Sequence, residues 1–535
     1  MEMKLRNEIL VSVSAATVFL LGGVILTSAG CSTLPAAAKV TTYAGPRGEP
    51  PSDDFCVRVD GKPVFVYQAR VSAVPFNQSW PGYERPLDQT EIASFACWDM
   101  SGPVTVEVVS KQAVDRVAVR PTSYGIQPKV DGNRITFALK RPRQVTVEVN
   151  GSHKALHLFA NPPETDVPRL TDANVRYFGP GMHRPGKIVL KSNETVYIAG
   201  GAVVHGVIEA TEASNLRILG RGILDVSTFK RETKVWAEND PSFESKAPNE
   251  RVAIHTATDG GVFGGAISLC GCQNVHIEGI VIRDSNRWTL VPAGCRGIRI
   301  ANVKLIGLWR FNTDGINIVN SEDVTIDGCF IRSFDDSICI KGQPGRCWHG
   351  YVAGTRPVRN VTVSNCVIWN DWGTAFQFGD GAWAPEIAHL LFRDCDIIRT
   401  CHIAMGFGPA YGGATIQDVR FEDIRVEIDD EASKPMIQQG REAKYTGTKG
   451  DYCPRLIYQV IGKHMTGSVR NVLFKNITVT GSGRRFPLSI LRGFSAERCV
   501  ENVVIENLRI NGKLISDLAT GGFTIGKHVK NVKFQ

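Results

Sequence analysis

Residues 302–342 read NVKLIGLWRFNTDGINIVNSEDVTIDGCFIRSFDDSICIKG, and their texture decides the fold. Short runs of Val, Ile and Leu alternate with Gly, Asn and Asp, and nowhere does the apolar spacing settle into the 3.6-residue period of a helix. Two segments of this stretch begin alike, Asn302-Val303 and Asp323-Val324, and the same beginning recurs at Asn215-Leu216, Asn274-Val275, Asn360-Val361, His389-Leu390, Asp418-Val419, Asn471-Val472, Asn502-Val503 and Asn531-Val532. From 274 onward these starts are 28, 21, 37, 29, 29, 53, 31 and 29 residues apart. A unit of that length made of strands and turns marks a solenoid.

The register agrees. Six residues after each start the chain places Ile280, Leu308, Cys329, Cys366, Cys395, Ile424, Ile477 and Leu508, a column expected to stack inward as each coil lays a strand on the one below. Three of the cysteines are thereby read as small core residues. The expected fold is all-β: a right-handed parallel β-helix over 170–535.

Counting 12 residues from the starts gives Asn286, Asp314, Asp335, Trp372 and Cys401, with Trp288, Asp336, Asp371 and His402 as neighbours. The count predicts Asp314 and Asp335 on adjacent coils, about 4.8 Å apart along the axis, with Asp336 beside them and Trp288 and Trp372 flanking. Hydrolysis of a glycosidic bond needs one carboxyl held protonated for the leaving oxygen and another ionised to activate water or attack carbon. Crowded like charges push one such group toward its protonated form, and aromatic rings suit the apolar faces of sugars. The competing reading is that Asp and Asn merely cap turns; convergence of three acids in one register favours chemistry.

Length and composition bound the rest. A chain of 535 residues exceeds one compact core, and residues 40–165 form a second unit. There CVRVDGKPVFVYQARV, GPVTVEVVS, NRITFALKRPRQVTVEVNG and HKALHLFA alternate between Gly, Pro, Asn and Asp turns, as in a small antiparallel β-sandwich. NPPETDVP at 161–168 reads as the linker. The net charge of +8 comes from charges of both signs without a basic run interleaved with aromatics, so nucleic acid is not an expected partner; an acidic polysaccharide is compatible. Fourteen cysteines without CxxC pairs give no zinc site, and neither a metal nor another cofactor is expected. Cys56 and Cys97 are a possible disulfide pair in an oxidising compartment.

The N-terminus carries Lys4 and Arg6, an apolar run at 9–26 and TSAGC ending at Cys31, which reads as an export signal over residues 1–38. Ser28-Ala29-Gly30-Cys31 is similar to a bacterial lipoprotein box with Cys31 as the lipidated residue; cleavage after PAAA at 35–38 and an uncleaved anchor are the alternatives. All three place the remainder outside the cytoplasm, secreted, periplasmic or lipid-anchored.

NTDG followed 21 residues later by the acids of SFDDSICIKG, after SNRWTLVPAGCRGIRIANVKLIG, resembles glycoside hydrolase family 28, the polygalacturonases. It also resembles family 49, the dextranases, which place a β-sandwich before the β-helix. The resemblance covers most of 170–430. It implies hydrolysis of an α-glycosidic bond with inversion, Asp335 as general acid, and Asp314 and Asp336 positioning and deprotonating the attacking water. Asn286, Trp288, Asn312, Lys341, Trp372, Gln377 and His402 are the expected substrate contacts. The Gly-His-Gly motif of polygalacturonases has no counterpart in NDWGTAFQFGD at 370–380, and their Arg-Ile-Lys motif is absent. His402 is therefore read either as a replacement imidazole or as a packed turn residue. Lys341, Arg399, Arg484 and Arg485 are the basic candidates for an acidic substrate. Rival readings are a polysaccharide lyase on the same fold and a non-catalytic glycan-binding surface protein.

Overall fold

The computed structural model describes residues 40–73, 87–229, 265–310, 312–343, 356–428, 436–438, 445–448, 454–481 and 488–535. From Val175 onward every coil contributes one strand to a 12-stranded parallel sheet and further strands to a 22-stranded sheet wound around the same axis. One coil suffices to show the logic: Glu322–Asp327, Phe330–Ser333 and Ile338–Gly342 are its three strands. Val324, Ile326, Cys329, Ile331, Ile338 and Ile340 point inward and are buried, because period-2 alternation sends every second side chain to the axis. Among the described residues there is no α-helix. Within these two sheets the described strands pair in parallel except at the hairpin of Leu508–Ile510 with Lys513–Ile515, and Met436–Gln438 with Tyr445–Thr448 form a separate antiparallel pair.

Asn and Asp begin the coils for a physical reason. Asn274, Asp323, Asn360, Asp418, Asn471, Asn502 and Asn531 all have positive φ between 52° and 55°, the left-handed region these side chains tolerate. Their side chains also bond along the axis: Asn360 to Asp323 at 2.9 Å, Asn471 to Asp418 at 3.0 Å, Asn502 to Asn471 at 3.0 Å and Asn531 to Asn502 at 3.0 Å. Such a ladder links successive coils along an exposed corner.

The ladder corrects one start. Val275 pairs with Ile298 and Ile298 with Val324, so the coil between 274 and 323 begins at Gly297-Ile298 and not at Asn302-Val303. Gly297 adopts φ +69°, a conformation glycine enters without strain, which hid the start from a search for Asn or Asp. Asn302 occupies a different left-handed corner, and the inward column there contains Val303 in place of Leu308: Lys304 N–H donates to Ile280 O and Phe330 N–H to Val303 O. Cys329, Cys366 and Cys395 do sit in this buried column.

The preceding unit has two sheets, one of six strands and one of five, packed over Val57, Phe137, Val147 and Trp98. Its pairings are antiparallel except Leu156–Asn161 with Ser94–Asp99, which run parallel. Cys56 is exposed and Cys97 buried, both as free thiols, so the proposed disulfide does not form. The linker is tied down: Pro162 O accepts from Arg221, and Glu164 accepts from the Tyr197 hydroxyl.

The sandwich lies against the middle strands of the β-helix, where Phe159 packs on Phe330 with ring centres 5.0 Å apart. Charges are matched across this contact. Arg283 pairs with Glu49 and Asp225, and Arg399 pairs with Glu148 at 2.7 Å. Arg399 is consequently buried under the sandwich and does not serve as a cation for substrate. Lys304 is fully enclosed between Asn161 and the Gly279 carbonyl, and burial pushes its ammonium down to about 7.

Candidate active site

The acids lie at the bend between the second and third strands of two coils. In one coil the bend follows Lys304–Leu308 and carries Asn312 and Asp314; in the next it follows Phe330–Ser333 and carries Asp335 and Asp336. Ile316 pairs with Ile338, and Asp314 and Asp336 each precede that pair by two residues. The residue stacked on Asp314 is thus Asp336, not Asp335 as the count from Asn302 predicted. Donor oxygens of Asp314 and Asp336 and the Cys339 sulfur all fall within 4.8 Å of one another, and Asp335 is not part of that close group.

Each acid is held differently. Asp314 is 2% exposed, and its Oδ2 accepts from Lys341 Nζ at 2.8 Å. The same ammonium sits 3.7 Å from the ring centre of Trp288, so one cation serves both a carboxylate and an indole face. Asp336 is more open; its Oδ1 accepts from Thr374 N–H at 2.9 Å and its Oδ2 faces the Cys339 thiol at 3.7 Å. Asp335 Oδ1 accepts from the Asp336 N–H at 3.0 Å.

Behind Asp335 a buried network fixes the bend. Asn370 Nδ2 donates to the Asp335 carbonyl at 2.7 Å, the Ser333 hydroxyl donates to the same carbonyl at 2.7 Å, and Ser333 and Ser337 hydroxyls meet at 2.8 Å. Gly373 closes over it: a Cβ there would stand 2.6 Å from Asp335 C and Asp336 N and 2.8 Å from Asp335 Oδ1. Gly373→Ala must therefore displace the acid pair itself. The expected result is a folded protein whose turnover falls by about 100-fold, the usual effect of an ångström-scale misplacement, checked by kcat alongside a thermal melt.

With this geometry in view, residues 188–371 match the family model for glycosyl hydrolases family 28. An exopolygalacturonase of Zea mays is 23% identical over 282 residues, 51% of this chain and 57% of that protein. A probable endo-xylogalacturonan hydrolase A of Neosartorya fischeri is 21% identical over 337 residues, 58% of this chain and 74% of its own. A probable polygalacturonase of Vitis vinifera is matched over only 26% of its length, so the chain spans between a quarter and three quarters of these relatives. Among solved structures, Dex49A from Penicillium minioluteum superposes with a TM-score of 0.58 at 16% identity, covering 91% of this chain and 96% of that one; this likeness is one of fold. Residues 188–371 are thus similar to glycosyl hydrolases of family 28, and the chain shares its fold with Dex49A.

Asn286, Trp288, Asn312, Asp314, Asp335, Asp336 and Lys341 all fall inside the family 28 segment; Trp372, Gln377 and His402 lie just beyond it. Trp372 stacks on Phe334 with centres 5.4 Å apart and planes 18° apart, at the edge of the acid bend. Asn286 is buried, donating to Phe229 O at 3.0 Å, and its Oδ1 has no partner among the described residues. Asn312 turns the chain into Asp314 with φ +58°. Gln377 pairs in register with Cys339 on one side and Gly406 on the other, its half-buried side chain facing out from between the core residues Phe376 and Phe378. Thr374 pairs with Ile403, which brings His402 alongside Gly373; Gly373 is one coil beyond Asp335 and His402 two. Cys31, Arg484 and Arg485 lie outside the described residues.

Two neighbours of the acids escaped the sequence reading. Cys339 touches Asp336, and Asn317, paired with Cys339, is fully buried with neither amide atom bonded among the described residues. The signal was there in Ile316-Asn317-Ile318, a polar residue at an outward position of a strand beside the acids.

Two histidines give the β-helix and its sandwich a pH dependence. His157 is sealed at the sandwich contact; Arg332 donates to its Nε2 at 3.1 Å, so its Nδ1–H donates to Thr146 Oγ1 at 2.8 Å, and burial with the Arg332 charge holds it neutral far below 6.5. Burial and then Arg455 lower His402 to about 4. Below pH 6.5 the unfolded chain takes up protons that the folded chain refuses, so stability present above 6.5 is lost as pH falls toward 4. For His402 alone this amounts to roughly 2–3 kcal/mol. Melting temperature measured from pH 7.5 downward should fall through this window, and His402→Gln should flatten the fall; an unchanged slope in the variant refutes the assignment.

Proposed function

We propose that this chain is an exported glycoside hydrolase that cleaves an α-glycosidic bond of a polysaccharide or oligosaccharide with inversion of the anomeric carbon. The observation that carries the reading is the stack of acids on neighbouring bends: oxygens of Asp314 and Asp336 lie within 4.8 Å of each other, and Asp335 directly precedes Asp336 on the same bend. In an inverting reaction one carboxyl protonates the leaving oxygen while others activate a water on the opposite face of the sugar, which requires a gap between the two roles. Asp335 is assigned the proton donor. Asp314, with Lys341 as counter-charge, and Asp336, oriented by the Thr374 N–H, are assigned to the water. Trp288 and Trp372 supply faces for the sugar rings. Export rests on the N-terminal Lys4 and Arg6, the apolar run and TSAGC.

The test is a panel of α-linked and uronate-containing polysaccharides, with the first-formed anomer followed by NMR. Inverted product is expected; retained product contradicts the mechanism, and no cleavage of any glycan favours a binding protein. A second reading, a lyase using a divalent cation, draws on the donor set of Asp314, Asp336 and Cys339. The Lys341 ammonium on Asp314 competes with a cation there, so activity is expected to survive a chelator. Loss of activity restored by calcium, with an unsaturated product, would establish the lyase.

A further inference from the structure

A cleft of about 690 Å³ runs between the sandwich and the β-helix, on the side away from the acids. Gly328 lines it, whereas Asp335 begins on the far side of the strand Phe330–Ser333; four extended residues separate the two by roughly 13 Å. The sandwich therefore covers the middle of the coils from Val203 to Ile398, with this opening on one flank and the acids on the other. Only the flank with the acids has a role so far.

Charge singles out the second opening. Four carboxylates and four arginines line it, but they are not equally committed. Asp396 accepts from Ser123 and from Arg425 at 2.6 and 2.8 Å. Asp327 accepts from Ser364 and Asn365, and Glu278 pairs with His276 at 2.8 Å. Asp394, at the rim, lies on the side of Arg425 and supports its charge. On the other side of the account, Arg141, Arg143 and Arg299 have no side-chain hydrogen bond or ion pair among the described residues. Arg143 lies over the Tyr124 ring at 4.1 Å, half-buried, and burial together with the neighbouring Arg141 makes its charge costlier than usual. Asp396 acts on Arg143, and Arg299 on Glu278, through the field alone, with no ion pair formed; guanidinium forks with no bonded carboxylate in a partly enclosed cleft favour an anion, and their donors match a carboxylate.

We propose that this cleft is an accessory binding site for a carboxylate-bearing saccharide, held by Arg141 and Arg143 from the sandwich and Arg299 from the β-helix. The choice of a saccharide rests on the glycan reading above; the preference for an anion does not. Polymer gripped here would be held beside the cleavage site without passing through it.

The test uses the full chain carrying Asp335→Asn, so that turnover does not consume the probe. Trigalacturonate is titrated calorimetrically with maltotriose as the neutral probe, and hydrogen exchange locates the footprint. Binding of trigalacturonate is expected to weaken with salt, to protect segments 141–144 and 299–302, and to fall by at least about tenfold in Arg141→Ala/Arg143→Ala, the loss of one charge-assisted hydrogen bond. Should that double variant not fold, Arg299→Ala from the opposite wall must weaken binding by itself. Unchanged affinity in these variants, protection confined to 286–288 and 335–341, equal binding of maltotriose, or full competition by inorganic sulfate at matched ionic strength overturns the proposal. If wild type cleaves no glycan while this binding persists, the hydrolase reading falls and the accessory site stands.

Discussion

Asp335→Asn is expected to lower release of reducing ends by about 100- to 10,000-fold, the range over which a positioned proton donor accelerates such a step, while binding of the glycan is retained. The amide keeps the size and the acceptor oxygen of Asp335, so the hydrogen bond from the Asp336 N–H at 3.0 Å and the Ser333 and Asn370 bonds to the Asp335 carbonyl have no reason to change. What is lost is the transferable proton. An activated substrate whose leaving group needs no protonation should recover much of the lost rate; a mere positioning role for Asp335 predicts no such recovery. Undiminished turnover of the natural polymer in this variant would remove Asp335 from the mechanism.

Lys341→Met carries the second large effect. The pair with Asp314 is almost entirely withdrawn from solvent, with side chains 3% and 2% exposed and 2.8 Å between charges. Removing one partner leaves a buried charge uncompensated, at a cost of about 3–5 kcal/mol, and exposes the Trp288 face that the ammonium covers. A lower melting temperature is expected together with a fall in kcat of about 100-fold, because Asp314 loses the group that orients it. The acid limb of the pH–rate profile should move to higher pH, since a carboxylate without its counter-ion holds a proton more tightly. That shift separates the two possible roles: a purely structural lysine would change the melting temperature and leave the profile in place. Arg at 341 is not expected to rescue, because a planar fork cannot occupy the compact position between a carboxylate and an indole.

Much of the fold was legible because a β-helix repeats its reasons. Each coil needs a left-handed corner, and Asn or Asp at Asn274, Asp323, Asn360 and Asn471 both reach that conformation and bond to the next coil; each coil also needs an inward residue, and Cys329, Cys366 and Cys395 mark that column. The reading failed at Gly297 for the same reason it succeeded elsewhere. Glycine enters the left-handed region freely but cannot join the side-chain ladder, so a search keyed to the ladder passed over it and moved the start to Asn302. The slip at the site has a separate cause: paired residues of the two coils are 26 apart at Ile298 and Val324 but 22 apart at Ile316 and Ile338, so no fixed count from the starts holds register as far as the bends, and the count from Asn302 set Asp335 where Asp336 stacks on Asp314.

The disulfide between Cys56 and Cys97 and the free Arg399 failed for a different reason. Both concern which face of a strand meets another unit, and nothing in the local pattern of the sandwich records that Glu148 will reach Arg399 at 2.7 Å or that Cys97 will be enclosed while Cys56 is not.

By itself the sequence determined the solenoid, most of its coil starts and inward column, and the presence of three carboxylates on neighbouring bends, because each of these is a property of local backbone conformation and side-chain alternation. Only the tertiary structure decided which acid stands on which, that Lys341 serves Asp314 and Trp288 at once, and that the sandwich leaves a cleft with unpaired arginines on its far flank. Those depend on the exact number of residues in each bend and on contacts between segments as distant as Glu148 and Arg399, where one residue more or less turns a side chain to the opposite face.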